Sequence, residues 1–242
     1  MSKTKRERQK IKRRRLSNKR LCKRYPWLKS DTNVWNGKKD RNYKYDWTYF
    51  DDIPDGWRRA FGMMMIDEMD AELKRSGRLK YQNDPWNRWS IQQIKSKYGT
   101  LRFYHSGASR EFEEIINKYE TISEHTCEFC GKPNTSVRDD GWVACECFDC
   151  FRKRIRRREK WANEHNMSFK STSNEDLKRE YDRFIVDDSP ISDTYAYTRY
   201  SNGQEQRFEF DISDTVRRIE KKYENKMAKS QRRSARRLSK MG

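Results

Sequence analysis

Four cysteines carry the clearest chemistry in the sequence. They form two CxxC pairs, Cys127/Cys130 and Cys147/Cys150, with sixteen residues between the pairs. This spacing is typical of a tetrahedral zinc site, because zinc accepts four soft thiolates and imposes no geometry of its own. The sequence therefore predicts a Zn²⁺ ion held by these four cysteines. Since the protein would fill every coordination position, we expect the metal to be structural rather than catalytic.

Neighbouring residues leave the ligand set open. The segment CECFDC offers three sulfurs, so Cys145 could replace Cys147 as a ligand, and His125 could substitute for a cysteine. A redox role for the CxxC pairs is the competing interpretation. Cys22 lies far away in the sequence, and we expect it to be a small buried side chain.

A basic segment follows the second pair directly. Residues 151–160 hold seven Lys or Arg residues and one acid, Glu159. We expect a helix from Cys150 to about Asn166, so that the metal site would aim a cationic rod at an anionic partner. The candidate nucleic-acid contacts on it are Arg152, Lys153, Arg154, Arg156, Arg157, Arg158 and Lys160.

Positive charge is also concentrated near both ends of the chain. The formal net charge is +19, yet residues 3–24 hold thirteen Lys or Arg and residues 221–242 hold nine, while the remaining chain is mildly acidic. Such segregation is typical of a polyanion binder, although solvated helix faces would look similar. The candidate contacts in these end segments are Arg13, Arg14, Arg15, Arg232 and Arg233.

The composition predicts a modest core with solvated extensions, because 33% of residues are hydrophobic and 38% are charged. We expect an α+β fold: a small helix/β-hairpin core with a zinc knuckle, then a basic helix, a second β-hairpin and a long C-terminal helix. The predicted segments are a basic tail (1–20), the α+β core (21–126), the knuckle with its basic helix (127–166), a helix–hairpin–helix extension (167–228) and a second basic tail (229–242).

Local signals place the elements of this fold. Asp55 is a plausible N-cap for a helix reaching about Ser76, with a buried stripe of Trp57, Phe61, Met65, Met69 and Leu73. Residues 88–105 resemble a hairpin, and Ser109 is expected to cap the helix that follows. Ser173 and Asp176 resemble a capping box. Asn202-Gly203 predicts a second hairpin in which Tyr195 and Tyr197 face Phe208 and Phe210, and Ser213 begins the last helix.

Residues 25–50 are rich in aromatic side chains, which could stack on single-stranded bases or belong to the core. They are Tyr25, Trp27, Trp35, Tyr43, Tyr45, Trp47, Tyr49 and Phe50.

The order of several sequence blocks resembles a family of small phage and prophage proteins of unknown role. The blocks are LCKRYPWL, DIPDGWRRAFG, QIKSKYGTLRFY, INKYETIS and CEFCGKP…GW…CFDC, and they lie within residues 21–150. The resemblance implies a viral origin, an α+β core and a zinc knuckle, but no known activity. The basic tails and residues 160–242 lie outside it.

No known catalytic pattern is evident, and the acidic pairs Asp51/Asp52, Asp139/Asp140 and Asp187/Asp188 are expected to be solvated turn residues. We therefore expect a non-enzymatic protein that binds RNA or DNA, with a protein-binding module that redirects a host machine as the alternative and a metal-dependent nuclease third. The clustered cysteines, with neither a secretory signal nor a membrane span, favour the reducing host cytoplasm.

Overall fold

The computed structural model describes residues 4–32, 38–81, 89–168, 172–187, 191–192, 194–201 and 204–238. The chain divides into two compact units. Unit 1 comprises Met1–Pro54, Gly62–Ser96 and Leu101–Ile116, and unit 2 comprises Asp55–Phe61, Lys97–Thr100 and Asn117–Gly242. Each unit is thus assembled from separate stretches, whereas the sequence predicts contiguous segments.

The secondary structure mixes helices with three small sheets, which confirms the predicted α+β class. The helices are α1 (Lys5–Arg24), α2 (Asp55–Trp57), α3 (Met63–Arg75), α4 (Arg110–Glu124), α5 (Phe148–Glu164), α6 (Asn174–Arg183) and α7 (Ser213–Leu238). The strands are β1 (Ser90–Lys97), β2 (Thr100–Ser106), β3 (Val137–Asp139), β4 (Val143–Cys145), β5 (Ile185–Asp187), β6 (Thr194–Ser201) and β7 (Gln204–Asp211). The sheets have the strand orders β1-β2, β4-β3-β5 and β6-β7.

The predicted methionine-rich stripe is the buried face of the helical segment that begins at Asp55. A π-helical turn, Arg58–Gly62, joins α2 to α3 within it. All five predicted stripe residues are fully buried: Trp57, Phe61, Met65, Met69 and Leu73. Repetition every four residues puts such side chains on one helix face, so this prediction is confirmed.

Unit 1 is organised around an aromatic cluster. Trp27 meets the ring of Trp89 edge-on at 5.5 Å between centroids, and Trp89 meets Phe112 at 5.6 Å. The indole N–H of Trp27 donates to the Asp70 carboxylate at 3.0 Å, so its polar group is satisfied in the interior. Ser109 caps α4 as predicted, since its hydroxyl accepts from the Phe112 amide at 3.2 Å.

Residues 5–24 form α1, whereas the sequence predicts a mobile tail for residues 1–20. Polar contacts within unit 1 hold this helix. The guanidinium of Arg15 donates twice to the Asp46 carboxylate, at 2.7 Å in each bond. Asn18 is buried, and its amide donates to Asp51 at 3.0 Å. A hydrophobic pattern contains no sign of such contacts, which is why the segment resembles a tail.

Unit 2 contains a small core between α5 and α6. Phe151, Leu177 and Tyr181 form this core, with Phe148, Ile155 and Ile185 packed against it. Strand β3 pairs antiparallel with both β4 and β5, so it is the central strand of its sheet. Ser173 caps α6 by accepting from the Asp176 amide at 3.0 Å, as predicted.

The second hairpin has the predicted register. Tyr195 lies opposite Phe210 with the two rings stacked at 5.2 Å, and the backbone register pairs Tyr197 with Phe208. The predicted Asn202-Gly203 turn lies outside the described residues. After the hairpin, α7 continues to Leu238, well past the predicted start of the second tail at residue 229. Val216 and Ile219 are buried on this helix, whereas Met227 is exposed.

Candidate metal centre and nucleic-acid interface

The four predicted cysteines come together in unit 2. The Sγ atoms of Cys127, Cys130, Cys147 and Cys150 all lie within 4.8 Å of one another, and those of Cys130 and Cys147 are 3.6 Å apart. A tetrahedral ion with metal–sulfur bonds of about 2.3 Å would place its sulfurs about 3.8 Å apart. None of these cysteines is in a disulfide. The cluster therefore has the size and donor atoms of a site that could hold a metal ion.

Two different backbone structures present the two cysteine pairs. The first pair lies on a tight turn in which the Gly131 amide donates to the Cys127 carbonyl at 2.8 Å and the Cys127 amide donates to Lys132 at 2.9 Å. Cys147 is the N-cap of α5, and Cys150 lies in the first turn of that helix. The positive end of a helix dipole favours thiolates over thiols, so this placement suits metal ligands.

The first turn lies so close to α2 that side chains are excluded on both sides. Gly131 has a φ of 78°, and a Cβ there would come within 2.6 Å of the Gly56 carbonyl oxygen. A Cβ on Gly56 would lie 2.2 Å from the carbonyl oxygen of Cys127. The Gly56 amide uses this proximity to donate to Glu128 at 2.7 Å. The start of α2 is therefore a support for the cysteine cluster, a role that no sequence signal near Asp55 indicated.

The crowded thiols make their ionisation interdependent. Hydrogen bonds from Cys127, Cys147 and Cys150 lower the pKa of Cys130, while the pKa of Cys127 is raised because its thiol is held by hydrogen bonding to Cys130 and Cys147. The backbone amide of Cys147 also donates to the Cys127 sulfur at 3.4 Å. Four thiolates at these distances would repel strongly, so their joint ionisation requires a bound cation.

The open question about the ligand set has a clear answer in the geometry. Cys145 and His125 both lie outside the cluster. The Cys145 thiol donates to the carbonyl oxygens of Glu124 and Thr135, at 3.3 and 3.4 Å, and burial raises its pKa well above the ordinary value. Cys145 is therefore a buried structural residue, and Cys147 occupies the fourth position of the cluster. Cys22 is also buried, as expected, and burial raises its pKa to about 11.

Cations from two other segments of unit 2 surround the first pair. Lys226 of α7 donates its ammonium to the Cys130 carbonyl at 2.9 Å, and Arg59 donates to the carbonyl of Phe129. Lys222 donates to Ala60 at 3.2 Å, and burial lowers its pKa. A metal with four thiolates carries net negative charge, so these cations would stabilise the loaded site.

The basic face of α5 is partly free and partly used internally. Lys153, Arg157, Arg158 and Lys160 are exposed. Arg152 forms an ion pair with Asp149 at 3.2 Å, and Arg156 forms one with Glu159 at 2.8 Å. A groove of about 690 Å³ runs along this face and is lined by Arg152, Lys153, Arg156, Arg157, Lys160 and, from α6, Asn174.

Arg154 does not belong to this face, contrary to the sequence prediction. Its guanidinium lies 2.7 Å from the Glu146 carboxylate and 3.0 Å from that of Asp140, and its side chain is 26% exposed. Arg138, which is fully buried, approaches the same two carboxylates at 3.6 and 3.7 Å. Two arginines and two acids thus form a charge cluster in which Arg138 and Glu146 are buried and Arg154 and Asp140 are half-buried. No local sequence pattern distinguishes Arg138 or Glu146 as members of this cluster. The one sequence signal for the inward position of Arg154 is its helical phase relative to Phe151 and Ile155.

The predicted contacts in the end segments fall into two groups. Arg13 and Arg14 on α1 and Arg232 and Arg233 on α7 are exposed. Arg15 is instead engaged with Asp46 inside unit 1, so it is a poor phosphate ligand.

Two aromatic residues of the 25–50 segment belong to the core, whereas the other described ones are half-buried or exposed. Tyr25 and Trp27 are fully buried, while Tyr43 and Tyr45 lie beside the Lys29 ammonium at 5.3 and 5.8 Å. Trp47 is 47% exposed. Trp35 lies outside the described residues.

In the two acidic pairs that the structure describes in full, Asp51/Asp52 and Asp139/Asp140, the carboxylates accept hydrogen bonds or form ion pairs. Asp188 of the third pair lies outside the described residues. Asp51 accepts from Thr48 and Asn18, Asp52 accepts from the Trp47 indole, and Asp140 pairs with Arg154. Within the described ranges, no histidine or carboxylate joins the four cysteines. In the same part of the chain, no helix has the length and apolarity that crossing a membrane requires.

Comparisons with models of known protein families, with curated proteins and with solved structures find no significant match to this chain.

Proposed function

We propose that this chain is a non-enzymatic zinc protein that binds nucleic acid along the outer face of α5. Zinc is the metal proposed because it accepts soft thiolate ligands and has no geometric preference of its own, which suits a site made only of cysteine sulfurs. Four protein ligands would leave no open position, so the ion would stabilise the structure rather than act on a substrate.

One observation carries the proposal: the groove along α5 is lined almost entirely by cations. Five of its six lining residues are Lys or Arg, and three of these, Arg152, Arg156 and Lys160, form ion pairs with carboxylates of the same helix. Such a surface attracts a polyanion, and each phosphate contact releases counterions from the nucleic acid. The exposed arginines of α7 in the same unit would add phosphate contacts, and those of α1 would supply a separate contact in unit 1.

The cationic face is fixed in place before any partner arrives. Cys147 and Cys150 hold the start of α5, and the pairing of Arg154 with Glu146 holds its inner side. Because little backbone order has to be created on binding, the entropic cost of association is reduced. This rigidity favours a dedicated interface over a solvated helix face.

Phage origin and a regulatory role in the host cytoplasm belong to the same proposal. They rest on the sequence blocks within residues 21–150 and on free cysteines, which suit a reducing compartment.

The test is the salt dependence of binding to labelled RNA and DNA, measured by fluorescence anisotropy. Binding is expected to weaken steeply between low and high salt, and the variant K153E/R157E should bind far more weakly. The control K39E/R41E changes the net charge equally at exposed residues of unit 1. The proposal fails if affinity is insensitive to salt, or if both double variants reduce it equally.

A protein-binding role is the second candidate, and exposed aromatic side chains favour it. Tyr98, Phe129 and Trp142 lie on three turns of unit 2 and are 68%, 43% and 75% exposed. Tyr98 also has a φ of 55°, which is unfavourable for a bulky residue. Aromatic side chains dominate protein–protein contacts. A host protein retained from nuclease-treated lysate by the wild-type chain, but lost with W142A, would support this role.

A further inference from the structure

An exposed ring stack lies near the end of the basic helix. The indole of Trp161 and the imidazole of His165 stack at 4.4 Å between centroids, tilted by 25°. Trp161 is 52% exposed, although a tryptophan side chain is among the most costly to leave in water. The stack is therefore a feature of the surface that packing within the described core does not account for.

A backbone hydrogen bond fixes the stack. Nδ1 of His165 lies 2.8 Å from the carbonyl oxygen of Trp161 and must donate, because a carbonyl only accepts. The His165 amide donates to the same carbonyl at 3.2 Å. The imidazole is thereby held against one side of the indole, and the pair of rings is oriented without a ligand.

The stack lies one helical turn beyond two exposed arginines of α5. Trp161 follows Arg157 by four residues and Arg158 by three, which is one helical turn, or about 6 Å along the axis. Both arginines are exposed, as is the adjacent Lys160. A flat aromatic ring one turn beyond exposed cations is the arrangement with which proteins hold a base and its neighbouring phosphates.

We propose that Trp161 stacks on an unpaired base, so that the protein prefers single-stranded nucleic acid to a duplex. This inference rests on the proposed function and deepens it. In a duplex both faces of each base are covered by neighbouring bases, so a rigid side chain on a helix surface reaches only phosphates. In a single strand, the base beside the phosphates that Arg157 and Arg158 contact is free to lie on the indole.

The experiment compares an oligothymidylate, an oligouridylate and a duplex of equal length, each bound to the full chain and followed by anisotropy. W161A should lose about tenfold in affinity for the single strands and little for the duplex. W161F, which retains a ring, should lose less. Tryptophan emission should be quenched by single strands in the wild-type chain and much less in W161A. The two single-stranded arms tell whether DNA or RNA is preferred.

Y104A is the control, because Tyr104 is an exposed aromatic residue on β2, in unit 1. It should bind like the wild-type chain. The stacking role is overturned if W161A binds single strands as the wild-type chain does, or if its loss is equal for the duplex. If the wild-type chain binds neither single strands nor duplex at low salt, the proposed function itself fails, which is a different result.

Discussion

The guanidinium of Arg138 lies 4.3 Å from the centroid of the Phe151 ring and 4.5 Å from that of Tyr181. One arginine of β3 thereby contacts both α5 and α6. Its Nε donates to the Tyr181 carbonyl at 3.0 Å, and burial lowers its pKa. Its Nη2 is buried without a hydrogen-bond partner in the described structure, so the charge is incompletely compensated. Arg138 therefore connects the β3–β4 hairpin to the basic helix α5.

Replacing Arg138 is expected to destabilise unit 2 strongly. Arg138→Met would leave Glu146 and Asp140 with Arg154 alone, and removing a buried member of a charge cluster costs about 3 kcal/mol. Urea unfolding of the full chain measures the loss. Arg152→Met is the control, because its exposed pair with Asp149 should contribute less than about 1 kcal/mol. Equal stability of the two variants would contradict the role given to Arg138.

Arg154 and Arg157 are expected to separate stability from binding, although both lie in the same basic run. Arg154→Ala should lower the free energy of unfolding by about 2 kcal/mol, because it leaves Glu146 underpaired. Its slope of log affinity against log salt should be unchanged. Arg157→Ala should leave unfolding unchanged and reduce that slope by about 0.9 for duplex DNA. Anisotropy titrations at several salt concentrations and urea unfolding of both variants make the comparison. If Arg154→Ala changes the slope of log affinity against log salt, Arg154 contacts the phosphate backbone and the prediction is wrong.

Replacing Cys147 and replacing Cys145 should have different effects on the metal content of the protein. Cys147→Ala removes a member of the cluster and is expected to abolish zinc retention and to unfold unit 2, because ligand binding and folding are coupled. Cys145→Ala should keep a single zinc ion per chain, since its thiol faces two carbonyls instead. Elemental analysis of the purified variants decides this. Zinc retained in Cys147→Ala but lost in Cys145→Ala would reverse the ligand assignment.

Stability should depend on alkaline pH through Tyr25. Burial raises its pKa to about 12, and its hydroxyl donates to Asp67. A tyrosine in the unfolded chain ionises near pH ~10. Because the folded pKa is the higher one, the contribution of Tyr25 is fully present below pH ~10 and is lost as the pH rises towards 12. Urea unfolding of the wild-type chain and of Tyr25→Phe across this range should therefore show their difference shrinking. If the difference in unfolding free energy stays constant, the pKa of Tyr25 is the same in the folded and unfolded states.

Sequence patterns predicted the parts of the structure that depend on local periodicity or spacing. The Trp57-to-Leu73 stripe, the caps at Ser109 and Ser173 and the facing of Tyr195 with Phe210 all follow from short-range rules. The CxxC spacing identified the cysteine cluster in the same way.

Short-range sequence rules do not predict polar contacts between residues that are far apart in the chain. Nothing near Arg138 distinguishes it from a surface arginine, and Arg154 is one of five arginines in a ten-residue helical stretch that begins at Asp149. Arg15 resembles its neighbours in α1 until Asp46, thirty-one positions later, is placed beside it. The close approach of Gly56 to Cys127 likewise depends on how distant segments pack.

The lysines of α7 have a consequence for the order in which the chain can mature. Lys226 reaches a carbonyl 96 positions earlier in the sequence, and Lys222 reaches one 162 positions earlier. During translation the cysteine turn leaves the ribosome long before these ammonium groups exist. A metal ion bound by the nascent chain at that stage would lack the positive charge that Lys226 places beside Cys130, which is added only after synthesis has passed residue 226.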